Sequence, residues 1–317
     1  MTTVSAEALV GRAVGGDPRA VARLVSLVEN GSPDLRDITA QLVAHAGSAA
    51  VVGVTGAPGV GKSTVTSALV GAYRAQDLKV GVLAIDPSSP FTGGALLGDR
   101  VRMQDHATDR GVFIRSMATR GHLGGLAWAT PQAVRVLDAA GCDVVLIETV
   151  GVGQSEIDVA GLADTTLVLL APGMGDGVQA AKAGILEVGD VFVVNKADRD
   201  GADQVVRDLR STVRLAERAP GDWRQPIVST VAARGEGIDE LVEAIAAHRA
   251  WAAESGEAQR RRTRRARDEI EAIAVTDLRR RFAALHGDER LDDLAQSVLA
   301  GELDPYAAAE KIVAAVS

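Results

Sequence analysis

Cysteine and long apolar runs are nearly absent from this 317-residue chain. The single cysteine, Cys142, excludes an intramolecular disulfide framework and a metal cage built from cysteines, and it fits a reducing compartment. No run of about 18 apolar residues is present to span a bilayer. Residues 1–15 lack both the basic start of a secretory signal and the Arg-rich composition of a transit peptide. We therefore expect a cytoplasmic protein with no membrane partner.

Positive charge is also in short supply, because 34 lysines and arginines face 42 aspartates and glutamates for a formal net charge of −8. A protein with a net negative charge does not attract the nucleic-acid backbone in general, so we expect no nucleic-acid partner. His106 and His122 have no histidine or cysteine neighbour at metal-ligand spacing, which argues against a transition-metal site. A hydrophobic content of 47% supports one substantial core with helical additions.

Only five of the 34 basic residues are lysines, and one of them lies in the most informative stretch of the chain. Residues 56–64 read Gly-Ala-Pro-Gly-Val-Gly-Lys-Ser-Thr, after the apolar run Val51–Val54 and before a helical pattern over 65–73. Glycines let backbone N–H groups approach phosphate oxygens closely, and the following helix directs its positive dipole end at the anion. This is a P-loop, in which Lys62 would reach the β- and γ-phosphates and Ser63 would ligate magnesium. The predicted phosphate-binding residues are Gly56, Ala57, Pro58, Gly59, Val60, Gly61, Lys62, Ser63, Thr64 and, further along the chain, Gly151.

Short apolar runs alternate with longer helical patterns from Val51 to about His248. The alternation predicts an α/β fold, a mostly parallel P-loop NTPase sheet with helices on both faces. We expect an N-terminal helical segment over 1–47, the P-loop domain over 48–250 and a C-terminal helical arm over 251–317. The predicted strands are Val51–Val54, Val80–Ile85, Val144–Ile147, Thr166–Leu170, Val191–Val194 and Ile227–Ser229.

Carboxylates follow the second and third of these strands, where a P-loop protein holds magnesium or orients the attacking water. Asp86 and Asp99 are candidates for these roles, against the alternatives of a turn cap before proline and a solvated loop charge. Glu148 opens Glu-Thr-Val-Gly, where GTPases commonly have Asp-x-x-Gly, and Gly151 could present its N–H to the γ-phosphate. Arg102 could offset charge on the transferring phosphate, or it could face solvent on a helix.

Two glycine-rich stretches predict mobile loops. Residues 116–125 carry three glycines, too many for a helix interior, and mobility there would suit a switch. Residues 171–177 follow the strand Thr166–Leu170 and lead into a helical pattern that contains Lys182. This lysine could approach the phosphates when the loop closes, or it could remain exposed on its helix.

The base-reading motif follows the strand Val191–Val194, where the chain continues Asn195-Lys196-Ala197-Asp198. A carboxylate at Asp198 can accept both the ring N–H and the exocyclic amine of guanine, a donor pair that adenine lacks. The wrong base would leave a buried carboxylate unpaired, so this discrimination is strong. After the last strand, the backbone at Val231 and Ala232 could close over the base.

The tail opens with a basic run over 260–265, followed by a helical pattern with an apolar face. A basic helix can bind nucleic acid or a membrane surface, or it can be solvated on one side while its apolar side packs on another subunit. Acidic residues follow closely at Asp268, Glu269 and Glu271, which favours a dimerisation arm.

Taken together, these motifs resemble the MeaB/ArgK family of GTPases. The resemblance extends from about Asp17 to about Asp239, and more loosely through the tail. It rests on sequence motifs that are specific to the family. These are Asp-Pro-Ser-Ser-Pro at 86–90, Leu-Gly-Asp-Arg at 97–100, Arg-Gly-His-Leu-Gly-Gly at 120–125, Glu-Thr-Val-Gly-Val-Gly-Gln-Ser-Glu at 148–156 and Asn-Lys-Ala-Asp at 195–198.

The resemblance implies a homodimeric, magnesium-dependent GTPase that acts as a chaperone of adenosylcobalamin-dependent methylmalonyl-CoA mutase, gating cofactor loading and protecting the mutase. It also implies a magnesium site at Ser63, Asp86, Asp99 and Glu148, and a third switch over the region from Asp176 to Lys182. The matching tail of the family forms a dimer arm. No cobalamin-binding motif of the chain's own is seen.

Two other functions stay open at this stage. A metallochaperone GTPase for another metalloenzyme would want a Cys/His-rich segment, and one cysteine with five scattered histidines speaks against it. A kinase linked to amino-acid transport would need a site that activates an acceptor, and no motif resembles one. A signal-recognition GTPase is disfavoured because four methionines cannot form a Met-rich groove.

Overall fold

The computed structural model describes residues 5–86, 103–106, 108–118, 129–149, 155–173, 185–215, 219, 221–283 and 289–316. The chain divides into two compact units, Met1–Thr263 and Arg264–Ser317. Within the described residues, no helix is both long enough and apolar enough to cross a bilayer.

The first unit is built around a parallel sheet of seven described strands in the order β3-β2-β4-β1-β5-β6-β7. Because the strands are parallel, their carboxyl ends meet at one edge, where ligands bind in open α/β sheets. The α/β prediction is confirmed. The strands are β1 Ala50–Gly56, β2 Val80–Asp86, β3 Val112–Ala118, β4 Val144–Thr149, β5 Thr165–Leu170, β6 Val191–Asn195 and β7 Ile227–Thr230.

Helices cover both faces of this sheet. The helices of the first unit are α1 Ala6–Val14, α2 Pro18–Glu29, α3 Leu35–Leu42, α4 Lys62–Arg74, α5 Thr130–Ala139, α6 Ser155–Leu162, α7 Ile185–Val188, α8 Ala202–Leu215, α9 Ile238–Glu254 and the start of α10 Glu257–Ala283. The N-terminal helices share one apolar core with α5 and the sheet, to which α2 contributes the fully buried Leu24 and Val25. On the other face, α4 and α9 share a second core through Leu69 and Leu241.

The start of α2 shows how local sequence sets an element. Asp17 accepts hydrogen bonds from the backbone N–H groups of Arg19 and Ala20, and Pro18 occupies the first helical position. The cap satisfies two N–H groups that lack helical partners, and proline has no N–H there to lose. Asn30 caps the C-terminal end of the helix, and a glycine follows it.

Strand β3 was not predicted from the sequence, and the expectation of a loop beginning at Ser116 is wrong for residues 116–118. The apolar run Val112–Ile114 is only three residues long, and Arg115 follows it. Arg115 is tolerated because its guanidinium pairs with Glu29 on α2. An edge strand that carries a charge lacks the continuous apolar run by which a central parallel strand is recognised.

A buried carboxylate, Asp190, lies just before β6 and accepts hydrogen bonds from distant parts of the chain. Its two oxygens accept hydrogen bonds of 2.8 Å from the two terminal nitrogens of Arg261, and one of them also accepts the N–H of Thr166 at 2.8 Å. His248 Nε2 lies 3.2 Å away, and the Trp223 indole N–H donates to the Asp190 carbonyl at 2.7 Å. Burial raises the pKa of Asp190, but the nearby His248 ring and the hydrogen bonds from Arg261 outweigh it, so the pKa falls below its ordinary value.

The second unit, Arg264–Ser317, contains the rest of α10 with α11 Glu289–Leu299 and α12 Pro305–Val316. Ile270, Ile273 and Leu278 of α10 are 69%, 48% and 49% exposed. These three side chains are an unusual amount of open apolar surface for one helix, since such residues are mostly buried in a folded chain.

Replacing Asp190 should strongly destabilise the first unit. We expect Asp190→Ala to lower the free energy of unfolding by about 3 kcal/mol at pH 7, because it removes a buried carboxylate that bonds to Thr166 and Arg261 and leaves the half-buried Arg261 guanidinium with Glu257 as its only acidic partner among the described residues. Since the pKa of Asp190 is lowered on folding, this stabilisation is complete above the unfolded value of about 3.9 and is lost as pH falls through the folded value. Urea denaturation at pH 7 and pH 3 measures both effects.

Asp203→Ala is the matched control, because Asp203 is an exposed carboxylate in the first turn of α8. Its loss should change the free energy by less than about 1 kcal/mol. Equal effects of the two variants would contradict a stabilising role for Asp190.

Candidate nucleotide-binding site

The P-loop joins the end of β1 to the start of α4, and glycine is required at two of its positions. Gly56 has a φ of +138°, and a Cβ there would lie 2.3 Å from the carbonyl oxygen of Leu169 on β5. Gly61 has a φ of +96°, and its Cβ would lie 2.4 Å from Nδ2 of Asn195. Any side chain at either position would therefore combine an unfavourable backbone angle with a collision.

Lys62 curls back over this loop. Its ammonium donates to the carbonyl oxygens of Gly56 at 2.7 Å and Ala57 at 3.1 Å, and the residue is 7% exposed. A lysine ammonium is compact and its three donors can rotate toward neighbouring carbonyl oxygens, whereas a guanidinium presents its donors in a rigid plane. The geometry places the positive charge within the predicted phosphate-binding turn.

Ser63 and Glu148 meet beside the same loop. The Ser63 hydroxyl donates to Glu148 Oε1 at 2.6 Å, and both residues are buried. Glu148 lies near the end of β4, in register with Val54 of β1 and Ala84 of β2. The sheet therefore puts the predicted acid next to the P-loop strand. Adjacent hydroxyl and carboxylate oxygens are the hard donors that magnesium prefers, so this pair fits the ion.

The other predicted switch and metal residues lie at the end of β2 or outside the described residues. Asp86 is the last residue of β2, at the same edge of the sheet as Glu148, but its side chain is outside the described part of the structure. The predictions for Asp99, Arg102, Gly151 and Lys182 also lie outside the described residues. Among the residues that are described, no group of three or more His, Cys, Asp or Glu side chains could hold a metal ion.

Asn195, the last residue of β6, is hydrogen-bonded both to the P-loop and to the chain around the end of β7. Its Nδ2 donates to the Val60 carbonyl at 2.9 Å, while its Oδ1 accepts from the Thr230 hydroxyl at 3.1 Å and the Ala232 N–H at 3.2 Å. Lys196 follows with a φ of +58° and donates from its ammonium to the backbone of the P-loop. The predicted base-reading motif is thus bonded directly to the predicted phosphate loop.

Asp198 projects beyond this network and meets a residue that sequence reasoning missed. Its carboxylate lies 3.1 Å from Arg234 Nη2, and Arg234 also pairs with Glu236 at 3.1 Å. The side chains of Asp198 and Arg234 are 43% and 52% exposed, so a base can reach them. The only available signal was the position of Arg234 in the Arg-Gly-Glu-Gly stretch after the last strand.

A cavity of about 670 Å³ opens beside the start of α4. Its lining includes Ser63 and Thr64, which belong to the P-loop motif, and Ala232 of the turn after β7. A further wall comes from the short 3₁₀ turn Gln104–His106, through Asp105 and His106. Its volume lies within the range of small-molecule sites, roughly 300–1,000 Å³. The sequence around His106 shows no metal-ligand partner and nothing that connects this turn with the site.

A P-loop on a parallel sheet, a strand-end acid beside it and a strand-end Asn-Lys-x-Asp bonded to it define a P-loop GTPase. The chain belongs to the MeaB family, because the family model described as "Methylmalonyl Co-A mutase-associated GTPase MeaB" matches residues 21–286. The family resemblance inferred from the motifs is confirmed, and so is the assignment of the chain as a GTPase.

Individual relatives agree with this assignment. A Pyrococcus abyssi protein, provisionally named as a GTPase, is 48% identical over 96% of this chain and 95% of its own. A Mus musculus protein, named methylmalonic aciduria type A homolog, mitochondrial, is 35% identical over 83% of this chain and 65% of its own. The crystal structure of an LAO/AO transport system kinase is similar with a TM-score of 0.71 at 26% identity, over 99% of each chain.

The P-loop geometry makes Gly61 a sensitive test of the site. We expect Gly61→Ala to weaken GDP binding by about tenfold or more, because an L-residue is strained at that φ and its Cβ would push Asn195 out of its hydrogen bonds. Isothermal titration calorimetry with GDP and magnesium measures the change.

Gly161→Ala is the control, because Gly161 lies on α6 without a positive φ, and a Cβ there would meet nothing within 4 Å. Its GDP affinity should match that of the unchanged protein. A Gly61→Ala variant that binds GDP normally would contradict the need for close approach between the P-loop and Asn195.

Proposed function

We propose that this GTPase is a chaperone of methylmalonyl-CoA mutase, in which GTP hydrolysis gates the loading of adenosylcobalamin and protects the mutase from inactivation. The observation that carries the proposal is the match of residues 21–286 to a family described by its association with that mutase. The name of the mouse relative, which refers to methylmalonic aciduria, points to the same area of metabolism.

Phosphate binding is assigned to the backbone of residues 56–64, to Lys62 and to the Gly151 N–H. The hydrogen bonds of Lys62 to two loop carbonyls support this assignment, because they hold the ammonium within the turn. Ser63 and Glu148 would hold magnesium, together with Asp86 and Asp99. The ion would offset charge on the phosphates when it is bound with GTP.

Guanine recognition is assigned to Asp198, with Asn195 and Lys196 as its supports. The network that joins Asn195 to Val60 and Ala232 fixes the distance between the loop that reads the base and the loop that binds the phosphates. The backbone at Val231 and Ala232 would border the base. Most of this network is buried, so the positions of these groups are set before the nucleotide arrives.

In the hydrolytic step, water forms a bond to the γ-phosphorus while the bond to the bridging oxygen of GDP breaks. Asp86, or a neighbour at the same edge of the sheet, would orient that water, and Lys62 would hold the phosphates in line. Arg102 and Lys182 would add positive charge once the mutase has closed the switches. The GTPase rate would then report on the state of the partner.

We also propose that α10 forms the arm of a cytoplasmic homodimer. The exposed Ile270, Ile273 and Leu278 support it, since a second copy of the helix would remove this apolar surface from water. The LAO/AO transport system kinase offers a second candidate function, transfer of phosphate to a transport protein, which the partner experiment below also addresses.

Changing the base-reading carboxylate should change the substrate. Asp198→Asn should lose preference for GTP over XTP, because an amide can donate to the xanthine 2-oxo group but cannot accept both guanine donors. We expect at least a hundredfold shift in the ratio of kcat/KM for the two nucleotides. Asp200→Asn, two residues on and exposed, is the control and should retain the preference for GTP. Unchanged selectivity in Asp198→Asn would remove the assignment.

The partner is tested by GTP turnover with and without an adenosylcobalamin-dependent methylmalonyl-CoA mutase. We expect the mutase to raise the rate several-fold, ATP to be inert, and Lys62→Ala to be inactive under both conditions. A rate that the mutase leaves unchanged, despite normal GTP binding, would contradict the chaperone function. Transfer of labelled γ-phosphate from GTP to a transport-linked binding protein would then favour the kinase.

A further inference from the structure

The structure assigns His106 as the platform on which the guanine ring of the nucleotide stacks. The inference rests on the proposed function, since it concerns the same nucleotide. The P-loop and the Asn-Lys-x-Asp motif do not form the whole wall of the cavity beside α4, and His106 lies in the remaining part of that wall.

The cavity borders the predicted nucleotide site. Ser63 and Thr64 line it where α4 begins, and Ala232 lines it at the turn whose N–H bonds to Asn195. Because Ala232 lines the cavity and is bonded to Asn195, we infer that a nucleotide with its phosphates on the P-loop and its base beside Asp198 places its nucleoside near this space. A volume of about 670 Å³ accommodates a purine and its ribose.

His106 is held at the wall of this cavity by one edge of its ring. Its Nε2 lies 3.1 Å from the carbonyl oxygen of Ser67 on α4. Because a carbonyl oxygen only accepts, Nε2 carries the hydrogen of this bond. The ring also lies next to Gly71, one turn further along α4, where a Cβ would be 3.8 Å from Cε1 of His106. The imidazole is thus fixed on α4 while it remains half-buried and lines the cavity.

The rest of the lining gives His106 a distinct role. Among the residues that the structure describes, the other side chains around the cavity are small or polar, such as Thr64, Ser67, Ala68, Ala72 and Asp105, and Ile238 is the one larger aliphatic residue. None of these has a flat π-face. Stacking of a base on an aromatic ring contributes enough to change affinity by about tenfold or more when the ring is lost. His106 is therefore the side chain suited to hold the plane of the purine.

Met103 gives the turn a firm support. It is 1% exposed and belongs to the core that α4 shares with the sheet. The backbone N–H of His106 donates to the Met103 carbonyl at 3.1 Å, which closes the turn. The platform is thus anchored on both sides, by Met103 in the core and by Ser67 on α4.

Two substitutions separate stacking from a merely structural role. His106→Phe keeps a flat ring and loses the N–H donor to Ser67, whereas His106→Gln keeps an N–H donor and loses the ring. Stacking predicts GDP affinity within about threefold of the unchanged protein for Phe and a loss of about tenfold for Gln. A structural tie to α4 predicts the reverse order. Calorimetric titration with GDP and magnesium provides both dissociation constants.

His45→Gln is the matched control, because His45 is an exposed histidine that does not line the cavity, and its GDP affinity should be unchanged. Melting temperatures without nucleotide identify any variant that is unfolded. Equal losses in the two His106 variants, the reverse order, or no loss in His106→Gln would each overturn the inference. If the unchanged protein fails to bind GDP, the proposed function itself fails, and this outcome is distinct from all the others.

Discussion

The side chain of Asn195 fixes the P-loop, the base-reading motif and the turn after β7 relative to one another. It is 3% exposed, and its amide contacts the P-loop through Val60, the end of β7 through Thr230 and the turn after β7 through Ala232. Gly61 has no side chain, which leaves the space that the amide nitrogen needs. A change in any one of these loops therefore disturbs the other two. The predicted phosphate-binding and base-reading groups act as one preorganised unit, which costs little reorganisation when a nucleotide binds.

Much of this edge could be predicted from the sequence because its motifs are local. A P-loop, a strand-end acid and an Asn-Lys-x-Asp each occupy a few consecutive residues, and the carboxyl ends of parallel strands meet at one edge. The meeting of Ser63 with Glu148 follows from this rule once β4 is placed beside β1. Strand β3 escaped prediction because Arg115 interrupts its apolar run, and only tertiary contact with Glu29 makes that residue acceptable there.

The Asp190 cluster could not be predicted, because its members come from five distant parts of the chain. Nothing in the local sequence at Thr166, His248 or Arg261 indicates that their polar groups converge on one carboxylate. Nor does the sequence indicate that the Trp223 indole donates to the backbone carbonyl of the same residue. The cluster lies just before β6, and Asn195 lies at the end of the same strand. Buried polar networks thus fix both ends of a five-residue strand. A strand fixed in this way has little freedom to slip in register, so the base-reading motif stays at a constant height above the sheet.

The presence of lysine beside the P-loop, in a chain with few lysines, has a physical reason. Lys62 donates to the carbonyl oxygens of Gly56 and Ala57, and Lys196 donates to that of Gly59 at 2.6 Å. Two ammonium groups therefore converge on the backbone of one loop, in a chain where 29 of the 34 basic residues are arginines. A guanidinium is planar and presents its donors as a rigid fork, which suits carboxylates better than the curved row of carbonyls along a tight turn. Two of the five lysines thus lie where the loop requires a compact charge, whereas arginine pairs with carboxylates, as Arg115 and Arg261 do with Glu29 and Asp190.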